Sequence, residues 1–142
     1  MQYLAKFMPD ENAILVSFPD VPEAITGGAD EVEAFKNAQE ALELALLNHI
    51  ALGEPLPKET TKSIISDNSH IIYVSAQIQA KIGFISAFKQ SGLTRVALAK
   101  KLGKAENEIR RMLDPYHVTK LPALEAGLLA LGKRLVIGVE AA

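Results

Sequence analysis

Residues 18–28, FPDVPEAITGG, set two carboxylates, Asp20 and Glu23, in a proline-bearing loop behind the apolar run 13–16. With Asp10 and Glu11 just before that run, these are the residue types that act as general acids or hold divalent cations. A two-metal nuclease needs carboxylates converging from several strands and a helix, and the later strand-like run HIIYVS (70–75) supplies none. The simpler reading is structural: Pro19 and Pro22 fix an extended loop, and Asp20 bonds local backbone amides in an Asx turn. His49, His70 and His117 lack metal-site spacing, and the chain has no cysteine to complete a zinc set, so they read as surface or boundary residues. There is no G-x-S-x-G, P-loop or G-x-G-x-x-G motif, and Gly27-Gly28 reads as a turn signal. The sequence therefore predicts no catalytic residue, no metal and no cofactor. It reads as a binding protein, not an enzyme.

A different chemistry is written in residues 94–113, TRVALAKKLGKAENEIRRML. Two short helices meeting at a tight angle need a small residue in the first, here Ala99. They need a left-handed-tolerant residue at the turn, here Gly103, and an apolar lock in the second, here Ile109. Leu98, Leu102 and Leu113 supply the other buried contacts. The offsets match an Xre/Cro-type helix-turn-helix, apart from Lys104, which stands where an aliphatic residue is usual. In that arrangement Glu106, Asn107, Arg110 and Arg111 face the major groove, where such side chains can read base edges. Lys100, Lys101, Lys104 and Lys120 suit phosphates, with Thr94 at the head of the first helix.

The elements that position these residues follow from periodicity. Residues 2–8 and 13–18 read as a hairpin, 24–26 as a short third strand ended by the glycine pair, and 70–75 as a fourth strand. Asp30 caps a long helix whose apolar face runs through Val32, Phe35, Ala38, Leu42, Ala45, Leu46 and Ile50, widened by Leu44 and Leu47. Gly53 and Pro55 close it, and 54–68 is a polar connector. From residue 76 the pattern turns helical (76–90, 95–102, 105–113, 121–131), and the alternating run RLVIGVE (134–140) predicts a terminal strand. The fold class is α+β: an antiparallel-rich sheet with one long helix over residues 1–75, then a helical domain over 76–142.

Charge divides at the same boundary. Residues 1–75 hold twelve Asp/Glu against four Lys/Arg, and 76–142 hold eleven Lys/Arg against five Asp/Glu. An acidic part suits a basic partner and a basic part suits a polyanion. The 49% hydrophobic content supports a core, and 6% aromatic content makes that core aliphatic. With no signal peptide and no apolar run near the ~18 residues of a membrane span, the expectation is a soluble cytoplasmic protein.

The stretch FPDVPEAITGGADEVEAFKNAQEALELAL resembles the hallmark of HicB-family antitoxins: a strand, F-P-D-x-P, a threonine and glycine, then an alanine-rich helix. The C-terminal half, including HVTKLPALEAGLLALGKRL, is similar to the subgroup carrying an Xre/Cro-type domain. The resemblance implies an N-terminal partial ribonuclease-H-like domain without the nuclease's catalytic set, which masks a small basic HicA-type mRNA-cleaving ribonuclease toxin. It implies a C-terminal domain that represses the operon from operator DNA as a dimer or higher oligomer. The proline-serine segment usual after the helix is replaced here by Pro55-Leu56-Pro57. Asp20, Glu23, Asp30 and Glu31 are then the acids expected to rim the toxin site, and RLVIGVE either supplies a pairing edge, with HIIYVS as its mate within or across chains, or packs on its own domain. The competing readings are a ligand-responsive transcription regulator without a toxin and an active nuclease.

Overall fold

The computed structural model describes residues 1–60 and 66–142, and all structural statements concern these. Residues 61–65, within the connector expected over 54–68, lie outside them. The chain divides into two units, Met1–Val74 and Ser75–Ala142.

In the first unit, strands β1 (Gln2–Asp10), β2 (Ala13–Ser17), β3 (Ile25–Gly28) and β4 (Ser69–Tyr73) form one antiparallel sheet in the order β3-β2-β1-β4. Because side chains alternate across a strand, the register puts Tyr3, Ala5, Phe7, Val16 and Ile72 on one face. All five are buried, and helix α1 (Glu31–Leu52) supplies Ala34, Ala38, Leu42, Ala45, Leu46, Leu47 and Ile50 to the same core. Asp30 caps α1 through its carboxylate and the Glu33 amide (2.8 Å), while the Glu33 carboxylate reaches back to the Ala29 amide. Gly53, left-handed at φ 69°, closes it.

Three expectations about this unit change. Val32 and Leu44 are exposed and Ala34 is buried in their place, because the stripe of α1 that meets the sheet starts on small residues, Ala34 and Ala38; Leu47 is buried as expected. The glycine pair does not end β3 but lies within it. A Cβ on Gly28 would sit 2.5 Å from the Ala34 nitrogen, and one on Gly27 would sit 2.6 Å from the Ile14 carbonyl oxygen. Close backbone approach, rather than a turn, requires these glycines. The connector is also no free loop where it is described. Tyr3 donates its hydroxyl to the Pro57 carbonyl (2.8 Å), and Gln2 and Leu4 exchange bonds with Glu59 and Thr60.

The second unit holds α2 (Ala76–Ser91), α3 (Arg95–Leu102), α4 (Glu106–Leu113) and α5 (Leu121–Ala130). Its core gathers Ile82, Phe84, Ile85, Leu98, Ile109, Met112, Leu124 and Leu128. Thr94 caps α3 by accepting from the Ala97 amide, and Gly103, at φ 63°, makes the left-handed turn toward α4. Leu102 and Leu113 are only half-buried, and Met112 takes the inward place the sequence reading assigned to Leu113. The terminal strand is absent: residues 133–142 form no regular element, and Val136, Ile137 and Val139 are exposed. A strand needs a ladder partner, and a unit otherwise made of helices offers none.

Candidate functional site

The loop 18–24 is two successive turns, closed by Val21 N–H to the Phe18 carbonyl (3.2 Å) and Ala24 N–H to the Val21 carbonyl (2.9 Å). This spacing points Phe18, Val21 and Ala24 into the core and leaves Pro19, Asp20, Pro22 and Glu23 outside. Asp20 makes a long-range bond rather than the expected Asx turn, accepting from the Thr60 hydroxyl at 2.8 Å, so it fastens the connector to the loop. Glu23 bonds His49 Nε2, while His49 Nδ1 lies 3.1 Å from the Pro55 carbonyl and 3.5 Å from Glu54. The Glu23 backbone amide lowers the Glu23 carboxyl below its ordinary value; burial opposes this, and the His49 contact adds to the lowering. Burial, with Glu59 and Asp20 nearby, raises the Tyr3 phenol.

The four expected acids thus fall into two groups. Glu23 is held at the last turn of α1, whereas Asp30 and Glu31 sit at its first turn, about 28 Å away along the helix axis. Asp30 is engaged as the cap. His70 is a half-buried boundary residue, as expected, and packs edge-on to Phe7 and Phe35 at centroid distances of 4.7 and 4.8 Å. Among the described residues, no three His, Asp or Glu side chains are placed to hold a metal ion.

In the second unit α4 is sharply two-sided. Ile109 and Met112 are buried, and Glu106, Asn107, Arg110 and Arg111 form the exposed face. Lys100, Lys101 and Lys120 are exposed. Lys101 reaches the Ala130 carbonyl at 3.5 Å, and Lys104 pairs with Glu108 at 3.5 Å, which spends part of the charge expected to meet phosphates. Among the described residues, no ion pair engages Lys100, Arg110, Arg111 or Lys120. A cation that sequence reading passed over lies beneath this face. Lys81 of α2 is 2% exposed and donates to the Thr119 hydroxyl (2.8 Å) and the Arg111 carbonyl (3.2 Å). Burial pushes its amine down to about 8, against the pull of Asp114. Nothing in the local pattern AQIQAKIGF marks it, since lysines on amphipathic helices ordinarily reach solvent.

A groove of about 540 Å³ runs between the start of α2 (Ala76, Gln79, Ala80) and residues 135–140. Among the described residues, no helix is long and apolar enough to cross a membrane.

Comparison with known proteins places the chain. A family model for the HicB-like antitoxin of bacterial toxin-antitoxin systems matches residues 2–83. The chain is 35% identical over 136 residues to the antitoxin HicB of Escherichia coli K12, covering 95% of this chain and 96% of that one. It is 36% identical over 135 residues to antitoxin HicB 2 of Photorhabdus laumondii (95% and 94%), and 26% identical over 141 residues to the antitoxin HicB of Pseudomonas fluorescens (99% and 95%). With the family model spanning the whole sheet, its helix and the start of α2, this chain belongs to the HicB-like family of antitoxins of bacterial toxin-antitoxin systems.

Proposed function

We propose that the chain neutralises a small, basic HicA-type ribonuclease toxin with its first unit and represses its own operon with its second. The observation that carries this reading is the joining, in one HicB-family chain, of an acidic unit to a basic one whose α4 exposes Asn107, Arg110 and Arg111. In the first unit, carboxylates at both ends of α1 attract a cationic partner and speed encounter. The sheet scaffold is a partial ribonuclease-H-like one that carries out no catalysis. In the second, α3, the Gly103 turn and α4 act as a helix-turn-helix. Arg110, Arg111, Asn107 and Glu106 meet base edges, while Lys100, Lys101, Lys104, Lys120 and the Thr94 end of α3 lie along the phosphates. The site belongs to the cytoplasm, where toxin and operator are both met.

Helix-turn-helix units gain affinity in pairs spanning half-sites roughly 34–36 Å apart, so the working form is a dimer or tetramer. Ile137 and Val139 of the alternating run, exposed and without a strand partner among the described residues, support pairing with the same segment of a second copy. Sedimentation of a chain lacking residues 134–142 checks this: the shortened chain runs as a smaller species.

Co-expression with the product of the adjacent short reading frame, followed by affinity purification and a gel shift on upstream DNA, tests the whole. Recovery of a stoichiometric basic partner and a salt-sensitive shift are the expected results. Absence of any partner, or a shift indifferent to salt, overturns the corresponding half.

A further inference from the structure

Lys81 is a buried cation that the toxin and operator contacts described above leave unused. An uncompensated buried ammonium is costly, and a methionine or leucine would fill the same space without desolvation. The partners of Lys81 are not a carboxylate but two neutral oxygens, and both bear on α4. One is the carbonyl of Arg111 in the last turn of α4, and the other is the hydroxyl of Thr119, at the end of the loop leading to α5. Thr119 is itself 7% exposed. One turn earlier on α2, the Gln77 side-chain amide donates to the Thr119 carbonyl. Gln77 and Lys81, four residues apart and therefore on one face of α2, grip the same loop residue from two sides. The loop is closed on itself by Asp114, whose carboxylate accepts from Tyr116 N–H at 3.0 Å and whose carbonyl accepts from His117 N–H at 3.2 Å.

The two ends of α4 differ in a way that gives this grip a purpose. Ala105 at the N-terminal end offers no side-chain cap, so that end is held by the turn, by Ile109 beneath it and by the exposed Lys104–Glu108 pair, which solvent screens. At the C-terminal end, a cation meets the Arg111 carbonyl, which belongs to the negative end of the helix dipole. The buried grip therefore bears on α4 at its C-terminal end, through the backbone of Arg111, whose side chain stands on the exposed face.

We infer that Lys81, with Gln77 and Thr119, is a positioning group for α4, fixing the angle at which Asn107, Arg110 and Arg111 are presented together to DNA. The inference rests on the reading of α4 as the DNA-contacting helix. Base-edge contacts demand simultaneous geometry, whereas phosphate contacts tolerate displacement. A tilted α4 loses discrimination before it loses non-specific binding.

The test uses the full chain, the duplex immediately upstream of its gene and a scrambled duplex of equal length, with affinities measured over a salt series. In Lys81→Met, upstream-duplex affinity is expected to fall at least about ten-fold, with scrambled-duplex affinity within about two-fold and the salt slope unchanged. Thr119→Val, which removes one hydroxyl at constant shape, gives a smaller loss of the same kind and stands in should Lys81→Met fail to fold. A parallel fall on both duplexes marks a merely structural role and overturns the inference, as does an unchanged ratio in folded variants. Wild-type protein that does not prefer the upstream duplex removes the DNA reading itself, and the inference with it.

Discussion

In the first unit the carboxylates are part of the fold: Asp20 holds Thr60 of the connector, Glu23 holds His49, and Asp30 caps α1. In the second the charges are distributed the other way. Exposed Lys100, Arg110, Arg111 and Lys120 form no ion pair among the described residues, and the one cation built into the core, Lys81, bonds only neutral oxygens. Substitutions of acids in the first unit therefore mix effects on folding with effects on binding. Exposed cations in the second can be removed with little loss of stability, so their effect on a partner is read directly.

The sharpest break in the comparison concerns backbone. Gly28→Ala puts a methyl 2.5 Å from the Ala34 nitrogen and 2.9 Å from its Cα, where neither atom can yield without separating α1 from the sheet. Urea unfolding should show a loss of about 3 kcal/mol or more. Gly127→Ala in α5 instead meets the Phe84 ring at 2.6 Å and the Met112 methyl at 3.2 Å. Side chains can shift, and alanine favours helix, so the net loss there is about 1 kcal/mol. Equal losses would mean that the two interiors are equally rigid.

These glycines also show where the sequence was legible. Helix ends carried by local chemistry were readable one residue at a time: Asp30 and Thr94 as caps, Gly53 and Gly103 as left-handed stops. The α+β order followed from a change of apolar period from two to 3.6. Gly27 and Gly28 were misread because a glycine required by a neighbouring backbone looks identical, in sequence, to one required by a turn. The terminal strand was misread because alternation reports a strand-like face but not a mate. The Asp20–Thr60, Glu23–His49 and Lys81–Thr119 bonds join residues 40, 26 and 38 positions apart, and no periodicity signals pairs at such distances.

Exposed cations give the next largest effect. Arg111→Ala should cost about 1–3 kcal/mol of operator affinity if the side chain reads a base. Lys120→Ala should weaken binding evenly across sequences and reduce the salt slope by about 1. Both should leave the unfolding free energy within about 0.5 kcal/mol of wild type. Fluorescence anisotropy with a labelled duplex, paired with urea unfolding, separates the two quantities. A stability loss matching the affinity loss would erase the contrast between the units.

Alkaline pH sets the units against each other. Lys81 has a folded value of about 8 against an ordinary 10.5, so between these the unfolded chain holds a proton that the folded chain has shed. Stability contributed by this site therefore rises with pH across that window, by up to about 1.4 kcal/mol per unit, and Lys81→Met removes the rise. Tyr3 acts in the opposite sense. Its phenol is raised above the ordinary 10.0 by burial, so the stability it contributes is intact below pH 10 and is lost as pH climbs beyond it. Urea unfolding of wild type, Lys81→Met and Tyr3→Phe at half-unit steps from pH 7.5 to 10.5 checks both signs.

The smallest effect is the most useful for the acidic unit. Glu23 and His49 meet at a half-exposed site, where an ion pair contributes about 0–1 kcal/mol because solvent screens it and two side chains must be held still. A double-mutant cycle of Glu23→Gln and His49→Gln at pH 6 should give a coupling inside that range, shrinking as salt is added. Because the Glu23 carboxyl is lowered, the pair's contribution persists at neutral pH as far as this acid is concerned and is lost on acidification through its folded value. A small coupling means that Glu23 can exchange His49 for a basic partner at little cost. Glu23→Lys would then slow association with that partner far more than it lowers stability. A coupling well above 1 kcal/mol would make Glu23 a structural tie. The burden of attracting the partner would then shift to Glu31, exposed at the opposite end of α1, and Glu31→Lys would be the reversal that slows association.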